Sequence, residues 1–324
     1  MSGISKPLLY SSAIASIIGG AYIIKDISGG EKYTGDEKLN NKVFIVTGAN
    51  TGIGKEISRD LAKREAKVIM ACRDLHKCET TRKEIVLETK NKYIYCRKCD
   101  LASQSSIREF AKLFKAEHNR LDVLINNAGV MRCPQTVTED GIEMQLGVNH
   151  MGHFLLTNLL LDKIKASAPS RIVNVASVAH HRGKINVSDL NSANNYDPSE
   201  AYAQSKLANV LFTNELARRL KGSGVTVNSV HPGLVDTEIT RHMSFSNSKI
   251  SAIILKPFIW MFIRSPKQGA QTILYAALDP NLENVTGTYF SNCKVAEMSE
   301  SAKNEELAKW LWATSEKWTK LKDS

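Results

Sequence analysis

The sequence predicts an α/β fold: one domain built on a doubly wound parallel sheet. Three observations carry that expectation. From residue 42 onward, short apolar runs alternate with amphipathic stretches, the mark of a parallel sheet covered by helices on both faces. The first apolar run passes directly into a glycine-rich turn followed by a helix pattern, an arrangement that suits phosphate groups. The chain has 324 residues, 43% hydrophobic and 23% charged, enough for one large α/β core with short additions at its ends.

Strands are expected at residues 43–47, 68–71, 93–97, 123–126, 172–176 and 225–230. Helical periodicity fills the intervals, for instance at 53–64, 105–118, 141–164 and 201–220. Ligands of such a sheet sit outside the carboxyl ends of its strands. Near the C-terminus Leu307, Leu311, Thr314, Trp318 and Leu321 recur at helical spacing, a stripe expected to pack on the domain itself. No repeat of solenoid length and no low-complexity tract is present.

The formal charge is +10, from 43 Lys and Arg against 33 Asp and Glu. The cations are spread along the helices and no basic segment is interleaved with aromatics, so solvated helix faces are expected and a nucleic-acid partner is not. Cys96 and Cys99 form a Cys-x-x-Cys pair without a second pair to complete a metal site. They lie in a strand-like run, where positions three apart face opposite ways. The expectation is free, buried thiols, no metal and a reducing compartment.

Residues 8–24 read LLYSSAIASIIGGAYII, uncharged between Lys6 and Lys25. As a helix they would span roughly 26 Å, just short of a ~30 Å hydrocarbon core. A secretory signal peptide is the alternative; the weak basic start and the lack of a disulfide pattern favour an uncleaved membrane anchor. Residues 28–41, polar and rich in glycine, read as a linker. The expected organisation is an anchor and linker at 1–41, the α/β domain at 42–295 and a helical tail at 296–324.

Thr47-Gly48-Ala49-Asn50-Thr51-Gly52-Ile53-Gly54 joins the first strand to the first helix. Glycines let backbone amides approach a pyrophosphate, and the helix N-terminus adds free N–H groups and partial positive charge. Between a strand and a helix, this turn predicts a dinucleotide. The second strand ends Met70-Ala71-Cys72-Arg73, where an NAD enzyme would present a carboxylate to the ribose. A guanidinium there suits a 2′-phosphate, so NADP(H) is the expected cofactor. The alternative makes Asp74 the ribose ligand.

Farther on come Asp100-Leu101, Asn126-Asn127-Ala128-Gly129, Asn149, Ser177, Tyr202-x-x-x-Lys206, Pro232-Gly233 and Thr237. In this order, after the glycine turn, they resemble the short-chain dehydrogenase/reductase family over residues 42–290. The stretches INNAGVMRCP, VNHMGHFLLTNLLL, YAQSKLANVLFT and ARRLKGSGVTVNSVHPG are similar to its retinol dehydrogenase branch. The resemblance implies a Rossmann-type domain that binds NADP(H) through Gly48, Asn50, Thr51, Gly52, Ile53, Gly54, Arg73, Asp100 and Leu101. Asn127, Ala128, Gly129, Tyr202, Lys206, Pro232, Gly233 and Thr237 would complete that site, and Ser177, Tyr202, Lys206 and Asn149 would be catalytic. Where many members have Ser-Ser this chain has Ala176-Ser177, and the 25-residue gap from Ser177 to Tyr202 is long, as in the retinol dehydrogenase branch.

Carbonyl reduction needs a hydride on carbon and a proton on oxygen. Tyr202 and Lys206 lie one helical turn apart; an ammonium at ~5 Å should favour the phenolate by roughly 3 kcal/mol, about two pK units. Ser177 would hydrogen-bond the substrate oxygen, and Asn149 would hold a water leading to Lys206. His150, His153, His180 and His181 show no ligand spacing and are expected as core or solvated histidines. Residues 250–263, ISAIILKPFIWMFI, occupy the family's substrate-lid position; periodicity equally allows a core helix broken at Lys256-Pro257, and the resemblance favours an apolar lid covering a lipophilic substrate.

The expected activity is hydride transfer between NADPH and retinal or a similar lipophilic aldehyde, in the reducing direction because cells keep NADP mostly reduced. A steroid or lipid-derived carbonyl reductase with the same catalytic residues is the alternative. A tethered NADP-binding scaffold would be expected to lack Tyr202 or Lys206, which this chain retains. The resemblance places the protein on the mitochondrial inner membrane, with the endoplasmic reticulum as the alternative.

Overall fold

The structure, a computed structural model, describes residues 16, 19–20, 22–237 and 263–321. Its sheet has eight strands in the order β3-β2-β1-β4-β5-β6-β7-β8: β1 (Val43–Thr47), β2 (Lys67–Cys72), β3 (Ile94–Lys98), β4 (Val123–Asn126), β5 (Ser170–Val175), β6 (Val225–His231), β7 (Tyr289–Ser291) and β8 (Lys294–Val295). All neighbours pair in parallel except β7 and β8, which form a closing hairpin. The order reverses at β1, where Phe44 pairs with Val68 on one side and Val123 on the other. In a doubly wound sheet this switch opens a crevice at the carboxyl ends of the strands.

Every residue of β1 is buried, and its alternation distributes side chains between two cores. Phe44 and Val46 point into one, shared with Ile57 and Leu61 of α1 (Gly52–Lys63), Ile85 of α2 (Leu75–Thr89) and Ile273 of α6 (Pro266–Leu278). Val43 and Ile45 point into the other, shared with Phe110 of α3 (Gln104–Glu117), Phe154 of α4 (Gly152–Leu159) and Phe212 of α5 (Pro198–Arg219). The final helix α7 (Glu305–Trp318) covers α5. Its buried face is Ala308, Leu311, Trp312 and Ser315, so only Leu311 of the expected stripe is fully covered; Trp312 turns inward, edge-on to Phe154 and tilted against Phe212.

The six expected strands are found with ends displaced by no more than two residues. The helix expected at 141–164 is instead interrupted: Met144–Leu146, a π turn at Gly147–Met151, α4, then Leu161–Ala166. Close approach of other chain segments requires small residues here. A Cβ on Gly152 would lie 2.7 Å from the Leu101 carbonyl, and one on Gly147 2.4 Å from a Thr138 methyl. β7 and β8, too short to give a sequence pattern, are additions to the expected sheet.

One expectation needs correction. Cys78 and Cys96 are joined by a disulfide, their Cα atoms 6.0 Å apart, so these thiols are not free. Residue 78 lies on α2 and residue 96 on β3, and both turn into the same apolar core, a proximity invisible in their spacing. Cys99 faces the opposite core, as the strand geometry requires. Within the expected linker, residues 31–33 are docked on the domain. Tyr33 stands edge-on to Tyr275 and donates its N–H to Gln271 of α6, and Glu31 donates its N–H to Asn292.

Residues 22–28 are helical, but most of the anchor expected at 8–24 lies outside the described residues, as does the lid expected at 250–263 except for its last residue. Among the described residues no helix is long and apolar enough to cross a membrane.

The disulfide closes a loop between positions 18 apart. Such a closure stabilises by about 3 kcal/mol through the unfolded chain. Cys96→Ala should therefore lose about that much in denaturant unfolding. A thiol reductant should destabilise the wild type to a similar degree and leave the variant unmoved.

Candidate active site

The crevice is a cleft of about 300 Å3 over the ends of β1, β2 and β4. Its floor is the turn after β1. Gly48, with φ +65, passes so close to β4's exit that a Cβ would lie 3.0 Å from Ala128. Gly54 lies under the turn, where a Cβ would sit 2.3 Å from the Gly48 carbonyl. The turn is fixed from below by the Thr81 hydroxyl donating to the Asn50 carbonyl and by the Ala49 and Asn50 amides directed at the Cys72 sulfur.

Helix α1 starts here with no side-chain cap on Thr51 and no acid in its first turn. By contrast α2, α3, α5, α6 and α7 are capped by Asp74, Ser103, Asp197, Ser265 and Asn304. Uncapped N–H groups aimed into a cleft are a site for an anion such as a pyrophosphate. Glycines that admit no side chain and free helix donors both fit a dinucleotide.

Thirteen of the expected cofactor residues line this cleft: Gly48, Asn50, Thr51, Gly52, Ile53, Gly54, Arg73, Asp100, Leu101, Asn127, Ala128, Gly129 and Thr237. Tyr202, Lys206, Pro232 and Gly233 lie outside its lining. Lys77, also on the lining, was not foreseen. Asp74 accepts the Lys77 N–H as the cap of α2, which places the lysine one turn from Arg73 in the same cleft. Both side chains are exposed, and the pair can hold a phosphate. Asp74 remains on the lining with one oxygen committed to the cap.

The two walls meet at Thr47. Its hydroxyl accepts the N–H groups of Asn127 and Ala128, each at 2.9 Å, and its carbonyl accepts the Asn127 amide at 2.8 Å. Asn149, wholly buried, bonds both backbone groups of Val130 with its side chain and also reaches the Ser205 hydroxyl at 2.9 Å. It thereby ties the Asn127–Gly129 segment to α5. Its side chain is not hydrogen-bonded to Lys206.

Helix α5 starts with an Asp197 cap and Pro198, features that set its first turn. Tyr202 and Lys206 follow one turn apart, at 8% and 2% exposure. Ser177, just past β5, lies close enough to the Tyr202 phenol to act on its pKa, so Ser177, Tyr202 and Lys206 come together. The expected lowering of the Tyr202 pKa by Lys206 does not occur. Burial raises the phenol, against Ser177 and the charges of Arg182 and Arg132. Lys206 Nζ stands 5.7 Å from the Tyr202 ring centre and donates to the Val175 carbonyl at 3.0 Å. Burial brings Lys206 itself down to about 8. Arg132 and Arg182 were not singled out from sequence; they meet at Ser199, in the first turn of α5.

Gly233, with φ +90, passes against Arg264, leaving no room for a Cβ. Arg264 donates to the Pro232 carbonyl and to Asn292, supporting the turn after β6. Of the four histidines, His150, His153 and His180 are buried and His181 is exposed.

A family model for short chain dehydrogenase matches residues 42–247. Retinol dehydrogenase 13 of Mus musculus is 51% identical over 312 residues, 96% of this chain and 93% of its own. Retinol dehydrogenase 11 of Homo sapiens is 54% identical over 285 residues, 87% of each chain. An uncharacterised protein from Mycobacterium paratuberculosis matches at TM-score 0.71 and 36% identity, over 89% of this chain and 98% of its own. A short-chain dehydrogenase from Shigella flexneri complexed with NADP matches at TM-score 0.62 and 21% identity, over 80% of this chain and all of its own; at that identity the likeness is one of fold.

The buried lysine has a stability signature. Unfolded, Lys206 holds its proton up to its ordinary 10.5, and folded only to about 8. Between those values the unfolded chain binds more protons, so this residue should make the nucleotide-free protein more stable as pH rises from about 8 to 10.5, by up to roughly 3 kcal/mol. Lys206→Met should flatten that rise in denaturant melts across the same window.

Proposed function

Because the chain belongs to the short-chain dehydrogenase family and is an oxidoreductase of CH–OH and C=O groups, we propose that it reduces retinal or a similar lipophilic aldehyde with NADPH. The observation that carries the reading is Tyr202, buried beside Ser177 and one helical turn from the equally buried Lys206, whose Nζ stands 5.7 Å from its ring centre. Bound NADPH would supply the hydride, and Gly48 to Gly54 with the free N-terminus of α1 would hold its pyrophosphate. Arg73 and Lys77 would take the 2′-phosphate, a fit that supports NADP(H) over NAD. Pro232, Gly233 and Thr237 would border the nicotinamide, with Asp100 and Leu101 at the adenine.

Burial keeps Tyr202 protonated, the state an acid needs before it gives its proton to a carbonyl oxygen. Ser177 steadies that oxygen. Lys206, with a pKa of about 8, can replace the lost proton near neutral pH, and Asn149 holds the loop beside it. The names of the 51–54% identical relatives support a retinoid. Residues 8–24 would anchor the chain in a membrane, the mitochondrial inner membrane by resemblance or the endoplasmic reticulum as the alternative.

Initial rates of all-trans-retinal reduction, with NADPH and NADH side by side, test this reading. NADPH should be preferred, and Tyr202→Phe should lose about 10²–10⁴ in rate. Turnover by that variant at the wild-type rate would remove Tyr202 as the acid. NADPH binding without retinal turnover would move the substrate to steroid or smaller lipid carbonyls.

The double change Arg73→Ala, Lys77→Ala should raise KM for NADPH roughly tenfold or more, the worth of one or two charged hydrogen bonds. KM for NADH should stay as it was. An equal rise for both cofactors would count against a 2′-phosphate site.

A further inference from the structure

We propose that His153 is a positioning residue: its two ring nitrogens tie the cofactor-side turn at Thr47 to the backbone of Asn149 beside Lys206. The inference rests on the hydride-transfer reading above. His153 is 2% exposed and lies on α4, directly after the π turn. Its Nε2 stands 2.9 Å from the Thr47 hydroxyl and its Nδ1 3.0 Å from the Asn149 carbonyl.

The proton positions follow from the partners. A hydroxyl offers two lone pairs and one hydrogen. The Thr47 oxygen already accepts from the amides of Asn127 and Ala128, at 2.9 Å each. Its hydrogen is left for Nε2 or for the Ile125 carbonyl, and the latter is 3.5 Å away. Nε2 is therefore the acceptor and Nδ1 carries the proton, which it donates to Asn149. Burial holds the ring neutral, with its pKa down at about 4, so one tautomer serves both ends. The titratable groups acting on it are Lys206 from α5 and His150 from the preceding turn.

Each end of this link reaches a different part of the site. Thr47 holds Asn127 and Ala128, which line the cofactor cleft. Asn149 holds Val130 and Ser205, the latter next to Lys206. Nothing in the local sequence joins them, since Thr47 and His153 are 106 residues apart. His153 thus sets the distance between the cofactor floor and the proton-delivering helix.

The two ends can be cut separately. An Asn carboxamide places its donor where Nδ1 stands and falls short of Thr47. A Gln carboxamide reaches the place of Nε2 and leaves the Asn149 carbonyl without its donor. Phe removes both contacts within a ring of similar shape. The full-length protein in detergent is measured for NADPH Kd by fluorescence titration, and for kcat with retinal.

His153→Asn should raise Kd about tenfold with kcat within about threefold of wild type, and His153→Gln should do the reverse. His153→Phe should show both losses, and if it does not fold, the Asn and Gln pair decides. Parallel losses in the Asn and Gln variants would overturn the inference. So would unchanged Kd and kcat in folded variants that only melt earlier. Tyr202→Phe is run beside them. Wild-type turnover by that variant would refute the catalytic reading, while the NADPH titrations would still judge His153 on its cofactor side.

Discussion

Helix α1 begins with backbone donors that no side chain among the described residues satisfies. Orphan N–H groups at a helix start carry a cost unless water or an anion meets them, and other helices of this chain meet it with Asp, Ser or Asn caps. Here the cap position is a threonine whose side chain does not close on the helix, and the residues around it are glycines that keep the approach open. The rest of the architecture serves that opening. Strand β1 is buried on both faces, so the turn leaves a rigid support. The sheet order reverses beside it, so the opening faces a crevice rather than another strand. Cys72 and Thr81 hold the turn from beneath, where a charged residue would have been excluded by the surrounding core.

A second constraint is the burial of polar groups around α5. Lys206, Asn149, Ser205, His153 and Thr47 are all nearly or wholly withdrawn from solvent, where an unmet donor or acceptor costs about 1–3 kcal/mol. The network meets most of that demand by bonding side chains to backbone carbonyls and amides: Val175, Val130, Asn127 and Ala128. Groups so tied have little freedom to shift, which suits a site that must hold two reactants within a fraction of an ångström. Burial also sets the protonation states. It keeps the Tyr202 phenol neutral and brings Lys206 to about 8. The candidate acid is thus kept protonated by desolvation, with Ser177 and two exposed arginines as the opposing influences.

Much of this was legible in the chain because it is local. The glycine turn is eight consecutive residues, the Tyr202–Lys206 pair is one helical turn, and the strands announce themselves as short apolar runs between polar ones. Lys77 could have been found by the same means: Asp74 is a helix cap three residues before it, which places the lysine on the first turn of α2 facing back to Arg73. The breaks in residues 141–164 were less accessible, since a glycine within an apolar helical pattern looks tolerable until another segment presses against it.

What the sequence by itself determined is the order of strands and helices, the glycine-rich turn after β1 and the chemical identity of the candidate acid, because each depends on residues a few positions apart. Only the tertiary structure decided the Cys78–Cys96 bond, the docking of residues 31–33 on α6 and on the β7–β8 turn, the phase of α7 and the His153 link. Each of these joins side chains that are distant in sequence and become neighbours only after the sheet has brought their elements together. The Tyr202 pKa belongs with them: spacing gave its distance from Lys206, but the desolvation that raises it exists only in the packed core.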